Sequence, residues 1–204
     1  MSKTTDTPGF ELIAGHPALD LVNTLDWRFR QSGPEELLES YEAVLGFMEE
    51  SDLLTPKQTR QLRRTTGGSA GRHALEQCLE LREAIAQVFY AKLDGDSPLP
   101  ASLKTLERYF KAARTRQELR WKKTGLAWRW PEIEGDPEIP LWLLSASAAG
   151  LMLSDNARKV RACDNLECRW LFMDTSKNHT RRWCDMKICG NRMKARRFKA
   201  QHRA

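Results

Sequence analysis

Apolar positions along the chain recur mostly three and four residues apart, and switch to strict alternation in one short stretch. The opening run "FELIAGHPALDLVNTLDWRFR" mixes the two periods, with Phe10, Leu12, Ile13, Leu19, Leu21, Val22 and Leu25 apolar. It reads as a short strand followed by a helix. Ser32, Pro34 and Glu35 in "SGPE" match a capping box with proline in the first turn. A helix carrying Leu37, Leu38, Tyr41, Val44, Leu45 and Met48 is expected behind it. "TPKQ" at Thr55–Gln58 is a second cap and starts another helix. "TTGGSAG" at Thr65–Gly71 reads as a breaker or flexible loop. Leu75, Cys78, Leu79, Ile85, Val88, Phe89 and Leu93 then mark a long amphipathic helix, which "DGDSPLP" ends. Leu103, Leu106, Tyr109, Phe110 and Ala113 mark a further one.

In "LRWKKTGLAWRW" the period changes. Leu119 and Trp121 alternate before "KTG", and Leu126, Trp128 and Trp130 alternate after it, the pattern of a β-hairpin. "PEIEGDPEIP" is a proline-rich connector. The stretch "IPLWLLSASAAGLML" that follows is apolar all round but shorter than the roughly 20 residues a membrane span requires, so it reads as a buried helix. The fold class these elements define is mainly α with minor β. A helical N-terminal domain, residues 1–155, precedes a small C-terminal module, residues 156–204.

Composition changes this picture at one end only. The chain has 204 residues, 41% hydrophobic and 29% charged, as in soluble globular proteins. Its net charge of +6 is unevenly spread: residues 156–204 hold 14 Lys/Arg against 4 Asp/Glu, so the rest is slightly acidic. A basic tail on an acidic body suggests a polyanionic partner, with nucleic acid ahead of an anionic membrane, against the plainer reading of a solvated basic surface. The first residues, "MSKTTDTPGFELIAG", hold no apolar run long enough for a signal peptide, which makes the cytoplasm the expected location. Thiols stay reduced there, and clustered cysteines suggest metal before disulfide.

Four of the five cysteines, Cys163, Cys168, Cys184 and Cys189, are spaced CxxxxC, 15 residues, CxxxxC. Each close pair can grip one side of a tetrahedral ion, and the intervening loop brings the pairs together. Four thiolates close the sphere around one structural Zn2+ and leave no position for water or substrate. "RWLFMD" is a strand candidate, "TSKNHT" a turn and "RRWC" a returning strand. A knuckle, a hairpin and a helix entered through the last ligand make a treble-clef-like zinc module. His179 is a turn residue on this reading, and Cys78 lies on the apolar face of its helix as a core thiol.

The stretch after Cys189 has good helix formers and no proline. On a helix, Arg192, Arg196, Lys199 and Arg203 form one stripe, with Lys194 and Arg197 on the other flank. Such a helix, anchored by zinc, suits phosphate contact or entry into a major groove, and Arg181 and Arg182 add candidate phosphate contacts. The pattern leaves DNA and RNA equally open, and protein or anionic-surface binding is the competing use.

The segment "RACDNLECRWLFMDTSKNHTRRWCDMKICGNRMKARRF" resembles the CGNR-type zinc finger, named for the run present here as Cys189, Gly190, Asn191 and Arg192. "GHPALDLVNTLDWR" resembles the opening of the ABATE domain that usually precedes this finger in bacterial proteins. The resemblance implies zinc at Cys163, Cys168, Cys184 and Cys189, and a stress-induced transcription regulator.

Asp20 and Asn23 are polar residues set in an apolar run. They are candidates for binding a small-molecule effector; the alternative is that they cap a helix and satisfy backbone groups. No glycine-rich phosphate loop, nucleophile elbow or HExxH motif is present, so no enzyme is expected. The expected function is a bacterial transcription regulator that binds DNA through the finger, its N-terminal domain sensing a signal or mediating association, including homodimer formation, with no role at a membrane. The alternative is a ligand-binding protein or enzyme whose zinc module is structural or a docking element.

Overall fold

The computed structural model describes residues 9–131 and 135–202, and the side chain of residue 197 is not described. Arg203, expected to extend the basic stripe, lies outside the described residues, as do positions 132–134 of the proline-rich connector. The architecture is mainly α with minor β, ending in a small four-cysteine module.

Helix α1 (Pro17–Asn23) comes first, and no strand precedes it among the described residues. Proline at its first position fixes φ, and the His16 ring Nδ1 accepts from the Ala18 amide at 3.2 Å, so His16 is an N-cap. Two two-residue strands, β1 (Leu25–Asp26) and β2 (Glu35–Glu36), then pair antiparallel. The expected capping box at Ser32–Glu35 is corrected: Glu36 is drawn into β2 by Arg82, which it meets at 2.7 Å through both oxygens. The helix starts later, as α2 (Tyr41–Glu50), where Ser40 accepts from the Ala43 amide.

Helix α3 (Pro56–Thr65) has the reciprocal capping box expected at Thr55 and Gln58. The "TTGGSAG" breaker is shorter than its composition suggests: only Thr66 and Gly67 separate α3 from α4 (Gly68–Asp94). Gly71, inside the helix, lets α4 run tightly against Tyr41, whose Cβ would sit 3.2 Å from any Cβ placed there. Helix α5 (Pro100–Thr115) follows. The hairpin of β3 (Glu118–Lys122) and β4 (Gly125–Arg129) pairs Leu119 with Trp128 and Trp121 with Leu126.

Helix α6 (Ile139–Met152) buries seven successive residues, Ile139 to Ser145, as expected for a helix without a polar face. It packs on α1, α4 and α5, so α4 and α6 form the middle of the core. No helix among the described residues is long and apolar enough to cross a membrane. After a short 3-10 turn come β5 (Val160–Ala162), β6 (Leu171–Met173), a π-turn at Met186–Gly190 and α7 (Asn191–Gln201). Strand β6 packs on α1 and β5 on α4, so the cysteine module shares the core of the helical body. Leu171 and Phe172 are fully buried there.

Candidate metal centre and basic helix

The first cysteine pair sits in the loop of the β5–β6 hairpin. The Cys163 amide donates to the Trp170 carbonyl at 2.9 Å, which continues the ladder beyond the strands. Buried Asn165 turns the loop: its carbonyl accepts from the amides of Cys168 and Arg169, both at 2.9 Å. Its side-chain amide reaches across to Cys189 Sγ at 3.6 Å. The second pair spans the π-turn, where Asp185 caps the amides of Lys187 and Ile188 and Cys189 enters α7.

All four sulfurs are buried, unoxidised and within 4.8 Å of one another. Cys168 Sγ and Cys184 Sγ are 3.8 Å apart. A tetrahedron with zinc–sulfur bonds of about 2.3 Å has edges of about 3.8 Å, so the donor set fits zinc. The Cys189 thiol is pushed down first by hydrogen bonds from the Cys163, Cys168 and Cys184 thiols, with the Asn165 amide adding to the effect. One structural zinc, closed by four sulfurs, is therefore the cofactor of this module. Gly190 follows the last cysteine in a tight spot: a Cβ there would lie 3.3 Å from the Trp183 ring and would displace the end of the Met186 side chain.

Part of the expected hairpin is corrected. Residues 181–184 are not a strand, and β6 pairs with β5 instead. Asp174 sets this route: it accepts from the Ser176 amide and hydroxyl and from the Arg181 amide, bonds that hold its carboxyl below the usual range, the hydroxyl contributing most. His179 sits in this turn at φ 49, with its ring near the Asp174 carbonyl.

The basic residues divide by what they touch. Arg181, expected from the sequence to contact phosphate, instead donates to the carbonyls of Trp183 and Cys184 and lies over the Phe172 ring. Arg182 pairs with Asp164, and Arg196 with Glu167 at 2.8 Å, both half in solvent. Arg192 stacks 4.4 Å over the Trp27 ring, which joins α7 to the helical body. Lys194 and Lys199 are exposed and have no ion pair among the described residues.

Asp20 and Asn23 are drawn together by the fold, but toward protein. Asn23 donates to the Leu171 carbonyl and accepts from the Leu171 amide, both at 2.9 Å, as a strand would. Asp20 accepts from the Ala14 amide at 2.9 Å, and burial pushes its carboxyl up to about 6. The cavity beside them measures about 10 Å3, room for roughly one water. Both side chains are engaged with backbone, the alternative to ligand binding that the sequence left open, and Asn23 fastens the finger to α1.

Sequence reasoning missed Trp27, Asn165 and Asp174. Asn165 and Asp174 flank the cysteines in the run that resembles the finger, so their types were visible there. Trp27 adopts φ 47 at the end of β1, and nothing in its neighbours announces a contact with position 192.

A helical body bearing a closed four-cysteine site and a basic helix defines a zinc-finger protein with a second, mainly helical module. The ABATE family, described as "putative stress-induced transcription regulator", matches residues 15–155, and the CGNR zinc finger matches residues 159–202. The chain belongs to the ABATE family and carries a CGNR zinc finger. No curated protein matches it.

Proposed function

We propose that the protein is a cytoplasmic transcription regulator that binds duplex DNA through α7. The observation that carries this reading is α7 itself, where Lys194 and Lys199, on different flanks, are exposed without an ion pair among the described residues, on a helix whose first turn is tied to the zinc site. Arg196 adds a third cation there, since its exposed bond to Glu167 is weak enough to be exchanged for a phosphate. Arg182, half exposed in its pair with Asp164, is available on the same terms. Arg192 has a different role: its stack on Trp27 sets how the helical body holds α7. In this reading the zinc orients and does not react, because no coordination position is open.

The test is binding of a fluorescent duplex by the wild type and by the Lys194→Ala/Lys199→Ala variant. The variant is expected to bind more weakly on every sequence and to lower the slope of log K against log salt by about 2. An unchanged slope removes α7 from the interface.

A second reading, a ligand-responsive protein, is favoured by the part lying outside the zinc site of a cavity of about 310 Å3 between body and finger, which Cys168, Cys184 and Cys189 also line. Trp27, Leu37, Trp170 and Ile188 supply apolar lining, and Glu11, Asp26 and Glu35 supply carboxylates. A molecule bound there would touch Trp27, so effector sensing and DNA binding are compatible uses of one chain.

A further inference from the structure

The β3–β4 hairpin holds four of the exposed large apolar side chains among the described residues. Leu119, Trp121, Leu126 and Trp128 share one face, since the register pairs Leu119 with Trp128 and Trp121 with Leu126. Exposure rises toward the hairpin tip, from 47% at Trp128 and 53% at Leu119 to 65% at Leu126 and 78% at Trp121. At the root Trp130, of the same parity, packs against the core. The face therefore begins as an extension of the core and runs out into water.

At its inner end the face continues into a groove of about 400 Å3 between α5 and α6. Trp128 closes one side, Ala146, Ala149 and Gly150 form a floor of small residues, and Leu153 stands at the rim, 83% exposed. Gly150 is open: a Cβ there would meet nothing within 4 Å. With a tryptophan presenting roughly 200 Å2 and a leucine somewhat less, the five exposed side chains offer on the order of 700 Å2 of mostly apolar surface. That exceeds the roughly 300–600 Å2 of the largest patch on a typical monomer and approaches the roughly 800 Å2 each partner contributes to a standard interface. A two-stranded hairpin standing alone is also marginally stable in water, so its apolar face calls for a cover.

We propose that this face is the interface of a two-fold homodimer, in which the hairpin of each copy lays Trp121 and Leu126 into the α5–α6 groove of the other. A two-fold contact requires one patch to hold both halves of the fit, and this patch has a projecting arm and a groove floored by small residues. Phe110 and Arg114, whose guanidinium lies 4.2 Å over the Trp128 ring, also line the groove, and the small residues Ala146, Ala149 and Gly150 leave space beside them for an indole. The opposite hairpin face carries Arg120, Lys122 and Arg129, of which the two arginines already share Glu118, so it stays in solvent at the rim. Dimerisation would also present two α7 helices, as paired half-sites in DNA require; that last consequence alone rests on the function proposed above.

The test is sedimentation velocity at tens of micromolar without DNA, on the zinc-loaded full chain. The wild type is expected at twice the chain mass of 23.5 kDa. Trp121→Ser/Leu126→Ser, which removes the arm, and Gly150→Arg, which fills the groove, are each expected to sediment as monomers with unchanged circular dichroism. A monomeric wild type overturns the proposal, as does a dimer that survives both substitutions. Vesicles of phosphatidylglycerol in phosphatidylcholine are added to any monomeric wild type. Co-flotation that the double serine variant loses would reassign the face to an anionic membrane. Because no DNA is present, loss of the dimer leaves the DNA reading standing, and a dimer that ignores DNA leaves the interface standing.

Discussion

Two hairpins in this chain have similar strand chemistry and opposite fates. In β5–β6, Val160, Leu171 and Phe172 are buried, the loop holds two zinc ligands, and Asn23 of α1 pairs with the backbone of Leu171. In β3–β4, longer and better registered, the four apolar side chains of one face stand in solvent. Strand alternation alone does not say what covers a face. Three-residue strands are ordered here by a metal and a neighbouring helix, while five-residue strands are left for a partner.

Removing zinc breaks this comparison most strongly. Zinc binding in comparable four-ligand modules is worth on the order of 10 kcal/mol, so a chelator or Cys184→Ser should melt the finger. Amide exchange is expected to accelerate at Leu171–Met173 and along α7, while α4 and the β3–β4 hairpin keep their protection. Asn23→Ala comes next. It leaves the amide and carbonyl of Leu171 buried without partners, a loss of about 2–4 kcal/mol measurable by urea unfolding.

Asp20 sharpens the same junction through pH. Burial raises its carboxyl to about 6 from 3.8, with the Ala14 and Ile13 amides opposing. The folded chain then holds this proton at pH values where the unfolded chain has released it. The stabilisation from that proton is complete below about pH 4 and is lost as pH rises through about 6. Asp20→Asn has no such loss and keeps an oxygen for the Ala14 amide. Its stability relative to wild type is expected to rise between about pH 4 and pH 7, by up to about 3 kcal/mol. Referring each variant to wild type at the same pH cancels the acid release of zinc that both share. The smallest effect belongs to the exposed hairpin: Trp121→Ser should change monomer stability by less than about 0.5 kcal/mol.

What was legible in the sequence was local. The Thr55–Gln58 capping box, the glycine after the β3–β4 turn and the cysteine spacing each act over a few residues or through one metal, and each produced the expected element. Ser32 was misleading because a capping sequence forms a helix only if tertiary contacts leave it free, and Arg82 recruits Glu36 into a strand. The pairing of Asn23 with Leu171 spans 148 residues, and the Arg192–Trp27 stack likewise joins distant segments. No periodicity encodes such contacts. Charge counting overstated the free basic surface for the same reason: it cannot see that Arg181 binds carbonyls of its own knuckle. Lys194 and Lys199, in contrast, are exposed without an ion pair among the described residues.

The most direct measurement of the central claim, that zinc positions a DNA-binding helix, is duplex binding across a salt series with zinc-loaded and zinc-stripped protein. The account predicts binding that weakens steeply as salt rises and is lost when zinc is removed. Binding absent at low salt, insensitive to salt, or unchanged by stripping would contradict it.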